Sequence, residues 1–511
     1  MTSPQTATGP AAEQAAPVLL RNVRLGSGGP LAHLTIDGGR IAAITPDAPP
    51  HPPGEVVDAG GRTVLPGLWD AHVHMVQWAS ARRRVDLSGA RSAAAAAELM
   101  AAAARGGRHP HDEALMGFGF RDGLWADRPE PALLAWSDAS GQAVALVSND
   151  LHTAWLNRAA LDRLGRHDHP TGVLLEADCL DAVARLGAAD PAVVDRWVTD
   201  AVTAAAARGV VGFLDFEYAD NLADWTRRAG HAPLEARVTC AVYPAHLDDA
   251  VSRGLRTGDV LPGTGGLVRV GPLKLFVDGS LNTRTALCNE PYPGLPESGQ
   301  EYGILQTEPA ELERLMAYAA RHGIQSAVHA IGDRANTIAL DAFEKVGCPG
   351  RIEHVQLIDR ADLPRFARPG LVLGVQPAHA TDDRDIADHH WAGRTDRSFA
   401  YADLARAGGQ LQIGSDAPVA PLDPWPGIAA AVHRTGTDGR PEWHPEQAIS
   451  LADALAAASE GRRTLRVGDR ADLVVTEHDP ATLAPHDLPA MPVFCTMLAG
   501  RFTHRADQAT P

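Results

Sequence analysis

The sequence predicts an α/β fold, a (β/α)8 TIM barrel that carries a small β-sandwich built from both chain ends and an inserted lid over its mouth. Three observations predict it. Eight short apolar runs alternate with helix-patterned stretches, short alternating strands lie at both ends of the chain, and a long segment with its own elements separates the first two runs.

Residues 1–16, rich in Ala, Pro, Gln and Thr, are expected to form a disordered tail. VLLRNVRL (18–25), LAHLTI (31–36) and RIAAIT (40–45) read as strands joined by Gly-rich turns, and EVVDAGGRTVLPG (55–67) is expected to add a hairpin. RADLVVTE (470–477) and VFCTMLAGRFTHR (493–505) repeat the pattern at the far end. These strands are too few and too short to bury a core separately. Residues 17–62 and 463–505 are therefore expected to form one composite sandwich, with a catalytic barrel over 63–462 inserted between them.

The eight barrel strands are expected within 64–74, 210–216, 237–243, 267–279, 325–330, 351–357, 371–377 and 411–416. Between them, PAELERLMAYAARHG (309–323) and ANTIALDAFEKVG (335–347) show apolar spacing at i, i+3 and i+4. The insertion, 76–205, contains an Ala-rich helix at 91–105 and strand-like LMGFGF and VALVSND. A structureless loop of that length would count against the fold, whereas a folded lid does not.

A chain of 511 residues, 45% of them hydrophobic, suffices for one large barrel and a satellite domain. The net charge of −17, from 63 acids against 46 bases, argues against nucleic acid or anionic lipid as partner. A small-molecule substrate is expected instead; the sequence leaves oligomeric state open, a homo-oligomer included. Five dispersed cysteines without C-x-x-C spacing fit a reducing compartment. With no apolar run of about 18 residues and no basic-apolar leader, a cytoplasmic protein outside the membrane is expected. G-x-G-x-x-G opening a helix, G-x-x-x-x-G-K-[ST] and G-x-S-x-G are absent, which disfavours nucleotide binding and a serine elbow.

His72 and His74 stand at i and i+2 on the first barrel strand, so both imidazoles leave one face. Alone, such a pair is more often a surface or core pair than a metal ligand. Lys274 on the fourth strand is either snorkelling, paired to Asp278, or a lowered-pKa amine able to take up carbon dioxide as a carbamate. His329, His354 and Asp416 end the fifth, sixth and eighth strands. Each could be a satisfied core group. Together, at strand ends where barrel enzymes keep their active sites, they suit Zn²⁺ or another divalent metal, one or two per chain. A metal-activated hydroxide with Asp416 as general base is the chemistry such a set supports. Asp388-His389-His390-Trp391 reads either as a site rim or as surface histidines.

The motifs resemble the amidohydrolase superfamily, in its family 3 branch similar to YtcJ and the N-substituted formamide deformylases. The resemblance rests on LPGLWDAHVH, KLFVDGSLNTRTA (274–286), AVHAIGDRA (327–335), RIEHVQ (351–356), VQPAHATDD (375–383), IGSDAPVAPLDPW (413–425) and GDRADLVV (468–475), in that order, with NDLHTAWLNRAAL (149–161) in the insertion. It implies one metal on His72, His74, Lys274 and Asp416, and a second on His329, His354 and a carboxylated Lys274. It also implies that His152, Arg284 and Gln376 face the substrate. Trp69 and SEGRR (459–463) depart from the usual pattern without touching a ligand.

The expected reaction is hydrolysis of a non-peptide C–N bond in an amide, N-substituted formamide or cyclic amide. A lactone or ester hydrolase on the same site and a non-catalytic barrel are the alternatives. Deamination is disfavoured, because Ala330-Ile331-Gly332-Asp333 follows His329 where mononuclear deaminases of the superfamily use a glutamate, and Lys274 is present.

Overall fold

In the computed structural model the described residues are 16–52, 54–106, 114–296, 300–436 and 438–506. The tail expected over 1–16 lies, except for its last residue, outside them. Eight parallel strands form the central sheet: Leu68–Val73, Val210–Asp215, Arg237–Val242, Val268–Phe276, Ser326–Ala330, Gly350–His354, Leu371–Val375 and Gln410–Ile413. Each pairs with the next in sequence, the order that βαβ crossovers impose. All eight overlap the apolar runs of the sequence, but the first run, expected over 64–74 as one strand, is divided: only Leu68–Val73 is in the barrel, and Thr63–Pro66 pairs in the sheet of the chain ends.

Closure between the last and first strands is made at the mouth. Asp416 N donates to His72 O and His74 N to Ala417 O, both at 2.8 Å. The buried Asp70 carboxylate accepts from His72 N at 3.1 Å and from Ser415 N at 2.9 Å, stapling the same seam. Gly414 is required here: a Cβ on it would stand 2.5 Å from His72 N and 2.8 Å from His72 Cβ.

Helices cover the barrel wall with their apolar faces inward. Pro309–Arg321 buries Leu312, Met316 and Ala319 at the i, i+4, i+7 spacing that the sequence displays. Asp333–Val346 does the same with Ala335, Ala339 and Ala342, and ends at Gly347 in the left-handed conformation.

The chain ends meet in a separate eight-stranded sheet. Its order runs from Arg501–Arg505 through Val493–Leu498, Leu473–Thr476, Thr63–Pro66, Val18–Leu25 and Leu31–Asp37 to Arg40–Thr45, with Glu55–Asp58 also on Val18–Leu25. Leu20, Leu34, Ile36, Val64, Leu473 and Met497 share its core. The hairpin expected over 55–67 is not there. Glu55–Asp58 and Thr63–Pro66 both run parallel to Val18–Leu25, one beyond the other. Residues 59–62 loop out, with Gly60 and Gly61 at positive φ, while Ala59 N and Gly61 N bond the carbonyls of Arg21 and Asn22. The glycines make a bulge instead of a reversal, because the neighbouring strand keeps pairing across it.

The insertion holds its own five-stranded sheet, ordered Val173–Leu175, Thr153–Leu156, Val144–Ser148, Leu115–Phe120 and Val85–Asp86. The Ala-rich helix spans Ala93–Arg105, capped by the Ser92 side chain on Ala95 N. Polar contacts hold this unit against the barrel mouth: Asn149 donates to Val419 O at 2.9 Å, and Arg121 pairs with Asp382 at 2.9 Å.

Candidate metal centre and active site

The C-terminal ends of the barrel strands and the insertion enclose a cavity of about 510 Å³. His72, His74, Lys274, His329, His354 and Asp416 all line it, as does His152 from the insertion. Two of them reach it through strained backbone. His354 has φ of 78° and Asp416 of 57°, values that non-glycine residues rarely adopt and that cluster at functional sites.

Three of the histidines have one ring nitrogen committed to a protein acceptor. His72 Nδ1 donates to Glu353 Oε2 at 2.7 Å, His354 Nδ1 to Gln376 Oε1 at 3.0 Å, and His329 Nε2 to Gly279 O at 3.1 Å. Each such bond fixes a tautomer and leaves the opposite nitrogen with its lone pair. His72 Nε2 is buried and has no hydrogen-bond partner, and the same holds for His74 Nδ1. Asp416 Oδ1 stands 3.5 Å from His72 Nε2 and 3.3 Å from His74 Nε2.

Burial lowers His72 to about 4 and His329 to about 3, helped in both by the nearby Lys274, and drives His354 well below its ordinary range. All three imidazoles are therefore neutral, the form that binds metals. Burial alone would raise Asp416, but His72, His74 and His354 around it hold it ionised, well below the ordinary carboxylate range. Lys274 is almost fully buried, its Nζ 4.3 Å from the Phe216 ring centroid and 5.1 Å from that of Phe276. Burial lowers its amine to about 8. Buried lone pairs converging on a carboxylate fit a divalent ion of the zinc type.

Behind His72 stands Glu353, fully buried between His72 and Arg351. Burial opposes its charge, and Arg351 together with His72 outweighs that and keeps it ionised. Arg351 also donates to Gln412 Oε1 at 2.8 Å and Ala71 O at 3.2 Å, so the chain of bonds ties the sixth strand to the eighth and first. Sequence reasoning passed over Glu353 although it sits inside RIEHVQ. The available signal was a glutamate two residues after an arginine, on the same face of a buried barrel strand, where a charge needs a partner.

His152 carries the lid side of the cavity. Its Nδ1 meets Glu176 Oε2 at 2.6 Å, and Glu176 Oε1 accepts from the hydroxyls of Thr283 at 3.1 Å and Thr285 at 2.8 Å. Burial works against the imidazolium, yet Glu176, with Asp150 and Asp416 nearby, raises it to about 9. Glu176 and Asp150 were not singled out from sequence, and neither was His379, which lines the cavity from the first turn of Pro377–Asp382. Arg284 and Gln376 do not line the cavity. Gln376 stands behind His354 as its hydrogen-bond partner, and Arg284 is half-buried and acts electrostatically on His390. The Asp388–Trp391 segment is likewise away from the cavity wall, with His390 and Trp391 buried.

A closed parallel barrel with histidines and an aspartate converging at its C-terminal mouth defines the class of metal-dependent hydrolases. A profile of the amidohydrolase family matches residues 55–504, and the chain belongs to that family. It is 28% identical over 505 residues to YtcJ of Bacillus subtilis, covering 89% of this chain and 91% of that protein. It is 25% identical over 521 residues to the N-substituted formamide deformylase of Arthrobacter pascens, covering 91% and 93%. Among solved structures, an uncharacterized metal-dependent hydrolase from Pyrococcus horikoshii superposes with a TM-score of 0.75 at 25% identity, over 92% of this chain and 99% of that one. Among the described residues no helix is long and apolar enough to cross a membrane.

Proposed function

We propose that this amidohydrolase cleaves a non-peptide C–N bond, in an amide, N-substituted formamide or cyclic amide. The observation that carries the reading is the orphaned, buried Nε2 of His72 facing an ionised Asp416, with the tautomer of His72 set by Glu353. His72, His74, Lys274, His329, His354 and Asp416 would hold one or two divalent ions, zinc being the best match for imidazole and carboxylate donors. Such an ion supplies a water acidified to near neutrality and polarises the scissile carbonyl.

The chain's own groups supply the remainder. Asp416, ionised and with Oδ1 beside His72 and His74, accepts the proton of the attacking water and passes it to the departing nitrogen. His152, fixed by Glu176, presents its free Nε2 to a polar group of the substrate. Phe120, Leu151, Leu180, Phe276 and Ile386 give the cavity an apolar wall, which suits the apolar substituent of an N-substituted amide. The relative named as a formamide deformylase supports the C–N bond class. Burial of Lys274 supports its carboxylation, in which the neutral amine adds carbon dioxide and releases one proton. Metal-loaded protein is to be assayed against matched formamides, amides, lactones and esters. Turnover of formamides or amides at least tenfold above the esters is expected, and preference for lactones or esters overturns the proposal.

A further inference from the structure

Arg434 ends the helix Pro424–His433 with φ of 54°, the left-handed conformation that glycine usually supplies at such an end. It exchanges hydrogen bonds with Trp443 across the following loop: Trp443 N donates to Arg434 O at 2.9 Å, and Arg434 Nε to Trp443 O at 3.1 Å. The turn carries the side chain into the protein, where the residue is 1% exposed. Its guanidinium stands 5.4 Å from the Tyr401 ring centroid and 5.7 Å from that of Trp443. Nη1 and Nη2 are buried without a hydrogen-bond partner, and among the described residues no carboxylate pairs with them. Glu446, the acid that acts on the group electrostatically, is exposed and bonded to His444. Other buried arginines are compensated: Arg228 pairs with Asp195, and Arg394 donates to the carbonyls of Glu290, Pro291 and His390.

We propose that Arg434 Nη1 and Nη2 hold a buried monovalent anion, a chloride ion, as the counter-ion that the protein does not itself supply. Burial lowers the pKa of the group, yet a guanidinium keeps its proton in proteins, so the charge cannot be shed. The two ring faces attract the cation but accept no conventional hydrogen bond. Water would satisfy the N–H groups and leave the charge unpaired, whereas an anion answers both costs. The neighbouring donors are already taken, Trp443 Nε1 by Asp388 and the Tyr401 hydroxyl by Gln376 O. One fork of nitrogens therefore suits a monoatomic halide better than an oxyanion, whose several oxygens need further donors. Arg434 does not line the cavity at the barrel mouth, so the site stands apart from the metal cluster. A bound halide pins the fork over Tyr401, whose hydroxyl holds the residue that follows the seventh barrel strand.

The test is thermal unfolding of halide-free wild type, Arg434→Met and Arg434→Gln in sodium chloride and in sodium sulfate at matched ionic strength, with near-ultraviolet circular dichroism to confirm folding. Sulfate stabilises by exclusion from the protein surface, which does not saturate. Wild-type Tm is expected to rise by several degrees as chloride is added and then to level its rise, as mass action requires of a single site. Both variants are expected to lose the chloride gain and keep the sulfate gain. Wild-type crystals soaked in sodium bromide are expected to show an anomalous peak beside Nη1 and Nη2. A chloride gain that persists in a folded variant overturns the proposal, and so does a wild-type Tm indifferent to chloride. An anomalous map without a peak at Arg434 overturns it whether or not the variants fold. A peak without a chloride-dependent Tm is an adventitious ion only, and it too overturns the proposal. None of these outcomes bears on the hydrolase reading, which the substrate assay tests separately.

Discussion

Glu353 Oε2 accepts a hydrogen bond from His72 Nδ1 at 2.7 Å, across the barrel from the sixth strand to the first. Both side chains are buried, and Arg351 holds the other oxygen of the carboxylate. Glu353→Gln keeps an oxygen acceptor and removes the charge. It is expected to weaken zinc affinity about 10–100-fold, the usual effect of removing such a supporting group, as read by competition with a chromophoric chelator. Glu353→Ala leaves Arg351 uncompensated and is expected to cost about 3–5 kcal/mol of stability by denaturant titration.

Metal removal is expected to destabilise the fold as well as the activity. A bound ion stabilises by about 4 kcal/mol at free concentrations of about 1,000 times Kd. Scanning calorimetry of chelator-treated protein is expected to show Tm lowered by several degrees and restored by Zn²⁺. An unchanged Tm would place the ion outside this cluster.

His74→Ala removes a proposed ligand that is partly accessible and makes no hydrogen bond through Nδ1. The variant is expected to fold, with hydrolysis reduced at least 1,000-fold under metal saturation. Activity retained within tenfold would move the reacting centre elsewhere.

The His152–Glu176 pair predicts a pH dependence. His152 is raised to about 9, above the ordinary imidazole value of 6.5. Its contribution to stability is therefore complete below about pH 6.5 and is lost as pH rises through about 9. The Tm difference between wild type and His152→Gln is expected to be largest near pH 6 and to shrink steadily above pH 7. A difference that grows with pH would mean that the imidazole is neutral in the folded protein.

Gly414→Ala tests the seam beside the site. The added Cβ would meet His72 N at 2.5 Å and His72 Cβ at 2.8 Å, so the first strand must shift. A loss of about 1–3 kcal/mol is expected from overpacking, together with weaker zinc binding, because the displaced residue is the proposed ligand itself.

The sequence by itself determined which segments become the eight barrel strands, that the two chain ends supply a second sheet, and that His72, His74, Lys274, His329, His354 and Asp416 converge. Period-two and period-3.6 apolar patterns are local, and a parallel barrel brings the ends of all its strands to one mouth whatever lies between them. Tertiary structure decided the rest. The Gly60-Gly61 segment became a bulge because Val18–Leu25 continues alongside it, and no local pattern distinguishes that outcome from a hairpin. Glu353 and His72 are 281 residues apart, so their bond depends on barrel closure. Arg284 and Gln376 lie off the cavity, and His379 lies on it, because the loops after the strands set where those side chains go. The left-handed backbone at His354 and Asp416 aims both side chains into the cavity against local preference, and only the packed barrel holds it there.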